Sequence, residues 1–258
     1  GDHLKCPAPV LDAPTCLAVA AAVTARPALG TSVMLLGMRQ LAFAAKQIAT
    51  LQHVSGDRLR LGVGVGGEFA QEYLAAEVPL TERGARLDRA LALLPSFLAP
   101  GTEHSLEPSA PTPPLLIGGR SDRAARRAAR FGDAWLPMWV SPTTLAQRGE
   151  RLAEMSAQLG RRTPSLSLLV LAHVDEDQAR ARRQAAAHLH GQYGIELDTV
   201  ERWTAFGSAA RVAEFLSEYV KVGVSEILLL PTGERPLEQI ERLSEVVGRI
   251  GCSPPDVI

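Results

Sequence analysis

An excess of charge of either sign is missing from this chain. Its 258 residues carry 27 Lys and Arg against 28 Asp and Glu, a formal net charge of -1. That balance gives no electrostatic pull toward nucleic acid or an anionic membrane, so neither partner is expected. Cysteine is scarce: Cys6, Cys16 and Cys252 are odd in number, widely spaced and without companion ligands at metal spacing. This argues against a disulfide framework or a cysteine zinc site, and for a reducing, cytoplasmic setting. No apolar run approaches the ~20 residues of a membrane span. The opening GDHLKCPAPVLDAP lacks the basic and apolar regions of a signal peptide. It also lacks an initiator Met, which reads as an N-terminus that was cut, processed or only partly recorded. No G-x-S-x-G elbow, P-loop or zinc-protease motif is present.

What is present is a globular composition, 46% hydrophobic and 21% charged. At roughly 100–200 residues per domain the length allows two small domains or one large one. No composition break separates two halves. Strand-like runs fall at Ala28–Leu36, Leu59–Val65, Pro114–Gly118, Ala134–Met138, Ser165–His173 and Ser225–Leu230. Most are almost continuously apolar, as parallel strands covered on both faces should be. Amphipathic stretches lie between them, among them Leu41–His53 and Arg211–Val222, the latter with Ser208 as N-cap and Gly223 as its stop. Strand and helix in alternation with right-handed crossovers give an α/β fold, either a doubly wound sheet or a (β/α)8 barrel. Pro100–Pro114 reads as a loop and Gly251–Ile258 as a loose tail.

Two glycine clusters and one dipeptide are the candidate chemistry. GVGVGGEF places Gly62, Gly64, Gly66 and Gly67 directly after a strand. It fits a dinucleotide fingerprint only with a forced offset, and no acidic strand end follows ~20 residues on. The glycines either let the chain turn or admit a flat ring against the backbone at a barrel mouth. In LLIGGRSDRAARRAARFGDAWLP a strand ends at Gly118–Gly119, and a helix starts near Ser121 or Asp122 beside Arg120. Free amides at that helix start make an anion site. An ordinary tight turn, with Arg123, Arg126, Arg127 and Arg130 on a solvated face, accounts for the pattern equally well. Asp2-His3 carries no assignment on its own. His53 falls on a helix end and His104 in the Pro-rich loop, while His188 and His190, on a polar helix, lack partners at metal spacing, and no metal is expected.

The order of these pieces resembles the luciferase-like monooxygenase superfamily, in particular its F420-dependent oxidoreductase branch. Leu29–Phe69 is similar to the family's strand, helix, turn and G-V-G-x-G strand end. Glu82–Leu94 looks like the next helix, 113–137 like the phosphate-loop segment, and Gly207–Leu230 like the last helix–strand unit. The resemblance implies a (β/α)8 TIM-type barrel binding coenzyme F420, or alternatively FMN, at the C-terminal ends of the strands. It implies that Ser32 and Val33 form a bulge, often with a non-proline cis peptide, that supports the ring. Gly64, Gly66 and Glu68 lie at the strand end beside it, and Gly118, Gly119, Arg120 and Ser121 hold the phosphate. Asp2 and His3 match a DH at the end of the family's second strand, where the His faces the ring as general acid/base or substrate binder. His3 is thus expected at a strand end beside Ser32 and Glu68.

Two departures accompany the resemblance. The family's first strand, first helix and most of its second strand, roughly 30–40 residues for such a unit, are not found before Asp2. Six strands rather than eight are therefore expected, in one barrel domain over residues 1–258 that is N-terminally incomplete relative to the family. Pro100–Pro114 is also shorter than the family's usual excursion. The implied activity is hydride transfer between F420 and a small organic substrate by a homodimeric enzyme. An FMN-dependent monooxygenase using O2 is the alternative, and a non-catalytic flavin-binding protein with a reduced barrel is the alternative of another class.

Overall fold

The computed structural model describes residues 1–250; the expected tail, 251–258 with Cys252, lies outside them. In chain order, α1 (Ala13–Val23), β1 (Leu29–Met34), α2 (Leu41–Ser55), β2 (Leu59–Val63), α3 (Ala70–Ala75) and α4 (Arg83–Leu98) lead to β3 (Leu115–Gly118). Then follow α5 (Asp122–Phe131), β4 (Ala134–Leu136), α6 (Pro142–Gln158), β5 (Ser165–Val174), α7 (Gln178–Tyr193), α8 (Leu197–Val200) and β6 (Ala205–Gly207). The chain closes with α9 (Ala209–Lys221), β7 (Val224–Pro231) and α10 (Pro236–Arg249). All strand pairs are parallel, in the order β1-β2-β3-β4-β5-β6, with β7 on β5.

Among the described residues the sheet has seven strands where six are expected. The addition is β6, three residues that pair Ala205–Gly207 with Ala172–Val174. It is too short to show a period, which is why the sequence does not announce it. Ala172 pairs with both Ala205 and Pro231, so β6 and β7 occupy opposite edges of β5.

Alternation along the strands separates an outer from an inner face. Leu168, Val170, Ala172 and Val174 of β5 join Leu115, Ile117 and Trp135 in the large core beneath the helices. The intervening positions face inward, where Leu116, Ala134 and Leu136 are buried with Val33, Leu169 and Leu228 packed against them. The curl of the sheet is visible in one ion pair. Arg60 of β2 reaches Glu226 of β7 at 2.9 Å, and Ser167 of β5 donates to the same carboxylate oxygen at 2.9 Å. With β3, β4 and β5 lying between β2 and β7, that contact requires a half-barrel rather than a flat sheet.

Helix ends follow local chemistry. Ser208 caps α9 by accepting from the Arg211 amide, and Gly223 (φ 92°) follows its end, as the sequence implies. A second apolar cluster joins α7, through Ala181, Ala185 and Leu189, to Leu171, Phe206, Leu197 and Val200. Half-buried Met138, Trp139, Tyr193 and Leu230 pack against it. Met138, Phe206 and Leu230 stand at or just past the C-terminal ends of their strands, so α7 covers that end of the half-barrel.

Candidate functional site at the C-terminal ends of the strands

The site starts from a break in β1. Its register with β2 shifts between Thr31 and Met34, and the Ser32–Val33 peptide is cis. The bulge implied by the resemblance is therefore there. The Val33 side chain lies on the inner face, and two of the singled-out glycines make room for it. A Cβ on Gly64 would stand 2.5 Å from one Val33 methyl, and a Cβ on Gly118 2.6 Å from the other. These distances are far below a van der Waals contact. The glycines thus seat Val33 from two neighbouring strands. Gly66 (φ 57°) turns the chain against Leu35.

Asp2 and His3 do not end a strand. Residues 1–12 contain no helix or strand, and the expectation of a strand-held His is corrected: side chains hold it. The Asp2 carboxylate is buried, accepting from the Leu35 amide at 2.9 Å and from the Arg39 guanidinium at 2.6 and 3.3 Å. Both of its oxygens are thereby engaged. His3 Nδ1 lies 3.0 Å from Oε1 of Glu72, and the Leu4 amide donates to Oε2 of the same carboxylate at 3.0 Å. Glu72, on α3, is only 1% exposed. Phe69 meets the His3 ring edge-on, centroids 5.2 Å apart. Among the described residues the His3 ring is thus met by Glu72 and Phe69.

Glu68 is exposed and makes no hydrogen bond among the described residues. Its charge is nonetheless felt nearby. Burial raises the pKa of the Tyr193 phenol, and Glu68 and then Cys6 add to it in the same direction. Tyr193 meets Trp139 edge-on at 5.9 Å, and the Arg120 guanidinium lies 5.6 Å above the Trp139 ring. Trp139 follows β4 with φ 55°, and its indole N–H is buried without an acceptor among the described residues.

The 118–121 loop is built by its backbone. The Gly119 amide donates to Leu136 O at 3.2 Å, and Gly119 O accepts the Trp135 indole N–H at 2.8 Å. Gly119 takes φ 115°, a conformation that disfavours a side chain. Ser121 caps α5, its Oγ accepting from Ala124 N at 3.2 Å. The Asp122 and Arg123 amides then remain as first-turn donors without an intrahelical partner. Arg120 is exposed, and its carbonyl accepts from Arg148. One part of the solvated basic face is corrected: Arg127 is buried and pairs with Asp88 at 2.6 Å, while Arg123, Arg126 and Arg130 are exposed.

Sequence reasoning missed Glu72, Trp139 and Tyr193. No local pattern marks Glu72, whose role emerges only when a residue 69 positions away is brought against it. A cleft of about 320 Å³ flanks Asp2 and His3 but is bordered by Met38, Arg39 and Val10 rather than by the glycine loops. Among the described residues no group of three His, Cys, Asp or Glu could hold a metal ion, and no helix is long and apolar enough to cross a membrane.

Comparison with known proteins gives the same fold. The chain superposes on an F420-dependent secondary alcohol dehydrogenase solved with an F420–acetone adduct at a TM-score of 0.83, with 17% identity over 96% of this chain and 88% of that one. It superposes on the oxygenating constituent of 3,6-diketocamphane monooxygenase of Pseudomonas putida, solved with FMN, at 0.73, with 15% identity over 94% and 84%. In sequence it is 30% identical, over 179 residues, to Rv3520c of Mycobacterium tuberculosis, whose name carries the words coenzyme F420-dependent oxidoreductase. That match takes 58% of this chain and 50% of the relative. The chain spans about half the length of the curated relatives it matches. A family model described as luciferase-like monooxygenase matches residues 1–196. The chain belongs to the luciferase-like monooxygenase family.

Proposed function

We propose that this protein is an oxidoreductase that binds coenzyme F420 at the C-terminal ends of its strands and transfers hydride to or from a small organic substrate. The observation that carries the reading is the seating of Val33, at the cis Ser32–Val33 bulge, between Gly64 and Gly118. A rigid aliphatic platform on the inner face offers a planar ring a surface to lie on. The chemistry of the surroundings fits such a group. Backbone amides at the start of α5 and the Arg120 guanidinium suit a phosphate, and Trp139 and Tyr193 supply aromatic walls.

When bound, F420 supplies a carbon that accepts or gives hydride. The chain's own residues do the rest. Val33 with its glycines supports the ring from one side, and Ser121 with the first amides of α5 fixes the phosphate end. His3 stands ready to hold or move a proton at Nε2, while Asp2 and Glu72 keep it in place. Glu68, at the exposed rim, contributes charge rather than a fixed contact. FMN is the second reading, supported by the FMN-bound neighbour. A homodimer of single-domain chains in the cytoplasm belongs to the proposal, and a monomer by light scattering at micromolar concentration would remove the dimer from it.

Absorbance titration of the purified protein with F420 and with FMN, followed by turnover of wild type and His3→Ala, tests the reading. F420 is expected to bind more tightly than FMN, and His3→Ala to lose ~10²-fold or more in turnover, the scale of a general acid/base, with cofactor affinity nearly unchanged. Tighter binding of FMN transfers the reading to the monooxygenase. Binding without turnover in wild type leaves the non-catalytic flavin-binding protein.

A further inference from the structure

We propose that Glu72 is the positioning residue for His3: its carboxylate holds the proton on Nδ1 and leaves Nε2, on the far side of the ring, bare and ready to accept. This deepens the reading above and rests on it for the role of His3, but the tautomer itself is a property of the chain alone.

The inference follows from counting donors. Glu72 is almost completely buried, and a buried carboxylate persists only where donors meet its oxygens. It has two, one for each oxygen: the Leu4 amide on Oε2 and the His3 ring on Oε1, both at 3.0 Å. A backbone amide only donates, and an ionised carboxylate only accepts. The hydrogen in the His3–Glu72 contact therefore comes from Nδ1. No other hydrogen bond to the His3 ring is found among the described residues, so Nε2 is uncommitted. Phe69 lies edge-on against the ring, and the neighbouring Asp2 is tied to Leu35 and Arg39.

Glu72 itself is well anchored. Its carbonyl accepts the Ala76 amide at 2.9 Å, and the next residue, Tyr73, accepts the Val78 amide at 3.0 Å and donates its hydroxyl to Val65 O. The anchor thus runs from the segment after β2, through α3, to a histidine that no strand supports. Fixing which nitrogen carries the proton decides what the other can do, because a ring nitrogen without hydrogen accepts and one with hydrogen donates. With Nε2 bare, the neutral imidazole receives a hydroxyl or amine hydrogen and cannot donate to a carbonyl.

The test is 15N NMR of the histidine rings, with His3→Gln to assign the signals, under alkaline conditions where the ring is neutral. Wild type is expected to show Nδ1–H at His3, and Glu72→Ala to move it to the Nε2–H form that free histidine favours. Turnover should fall roughly 10–100-fold in Glu72→Ala, by analogy with the groups that orient metal-bound histidines, with cofactor affinity unchanged and partial recovery in Glu72→Asp. An Nε2–H wild type overturns the proposal whatever the activity, and so does an unchanged tautomer in Glu72→Ala. If Glu72→Ala fails to fold, the wild-type spectrum still decides. A wild type with the Nδ1–H form but no turnover on any flavin or deazaflavin sinks the enzymatic reading and leaves the positioning of His3 standing.

Discussion

Two segments border the C-terminal ends of the strands, and they are held by opposite means. Asp2–Leu4 has no regular structure and depends on two carboxylates, its own Asp2 reaching Leu35 and Arg39, and Glu72 reaching back to His3 and Leu4. Gly118–Ser121 leans on backbone and cap: Gly119 N to Leu136 O, Trp135 to Gly119 O, and Ser121 onto Ala124 N. A segment pinned by side chains is brittle, because one substitution removes several contacts and strands a buried charge. A loop pinned by backbone tolerates exchange of its exposed side chains. Position thus predicts sensitivity better than residue type does: the acidic residues that matter, Asp2 and Glu72, are buried, and the arginine beside the phosphate site is exposed.

The largest effect expected is that of Asp2→Ala. It removes the acceptor of the Leu35 amide and both contacts to Arg39, whose remaining carboxylate, Asp12, stands at 3.4 Å. Burial tends to lower the Arg39 pKa, and Asp2 and then Asp12 outweigh it to raise the value, so Asp2 is the principal compensation for a partly desolvated charge. A loss of about 2–4 kcal/mol is expected, with turnover falling as far as in His3→Ala because the segment that carries the imidazole is released. Chemical denaturation and turnover of Asp2→Ala and Asp2→Asn measure both. A stability within about 0.5 kcal/mol of wild type, the range of an indifferent surface change, would break the comparison by showing that Asp2 does not pin this segment.

A smaller effect sharpens it from the other side. Gly118→Ala drives a methyl to 2.6 Å from Val33 Cγ1 and 3.3 Å from Val63 O. Overpacking of this kind costs about 1–3 kcal/mol. If the clash with Val33 is its cause, Val33→Ala in the same chain should recover a large part, a coupling of about 1 kcal/mol in a double-mutant cycle. Additive losses would mean that Gly118 serves its backbone alone and that Val33 is not held by it.

These contrasts also show what could be read before the structure was seen. Six of the seven strands are apolar runs whose inner and outer partners are close at hand, so Leu59–Val65 or Ser165–His173 is recognisable from pattern, with ends that shift by a residue or two. The Ser32–Val33 break came from resemblance, since nothing in LGTSVM itself marks a bulge. For Arg127 the alanine pattern outweighs the arginine pattern: Ala124, Ala125, Ala128 and Ala129 form the buried stripe of α5, and Arg127 is buried beside it, neutralised by Asp88. Glu72, Trp139 and Tyr193 stayed hidden for a different reason. Each acquires its meaning from a partner far along the chain, and such contacts leave no spacing to read.

The smallest effect belongs to Arg120→Ala, and it tests the backbone half of the comparison. The side chain is exposed, and among the described residues its interaction is with the Trp139 ring at 5.6 Å, worth about 0.5–1 kcal/mol at such a site. Its carbonyl, which accepts from Arg148, survives the substitution, as do the Ser121 cap and the first amides of α5. Fold stability should therefore change by less than about 1 kcal/mol. Cofactor affinity should weaken only a few-fold at low ionic strength, because an exposed guanidinium adds screened attraction to a site already made by amides. Raising the salt to 1 M should shrink even that difference, since the Debye length there is about 3 Å. Titrations of wild type and Arg120→Ala at both salt concentrations decide the matter. Equal affinity at low salt would leave the amides as the sole phosphate ligands. A loss of ~100-fold or more would mean that the arginine, rather than the backbone, makes the site.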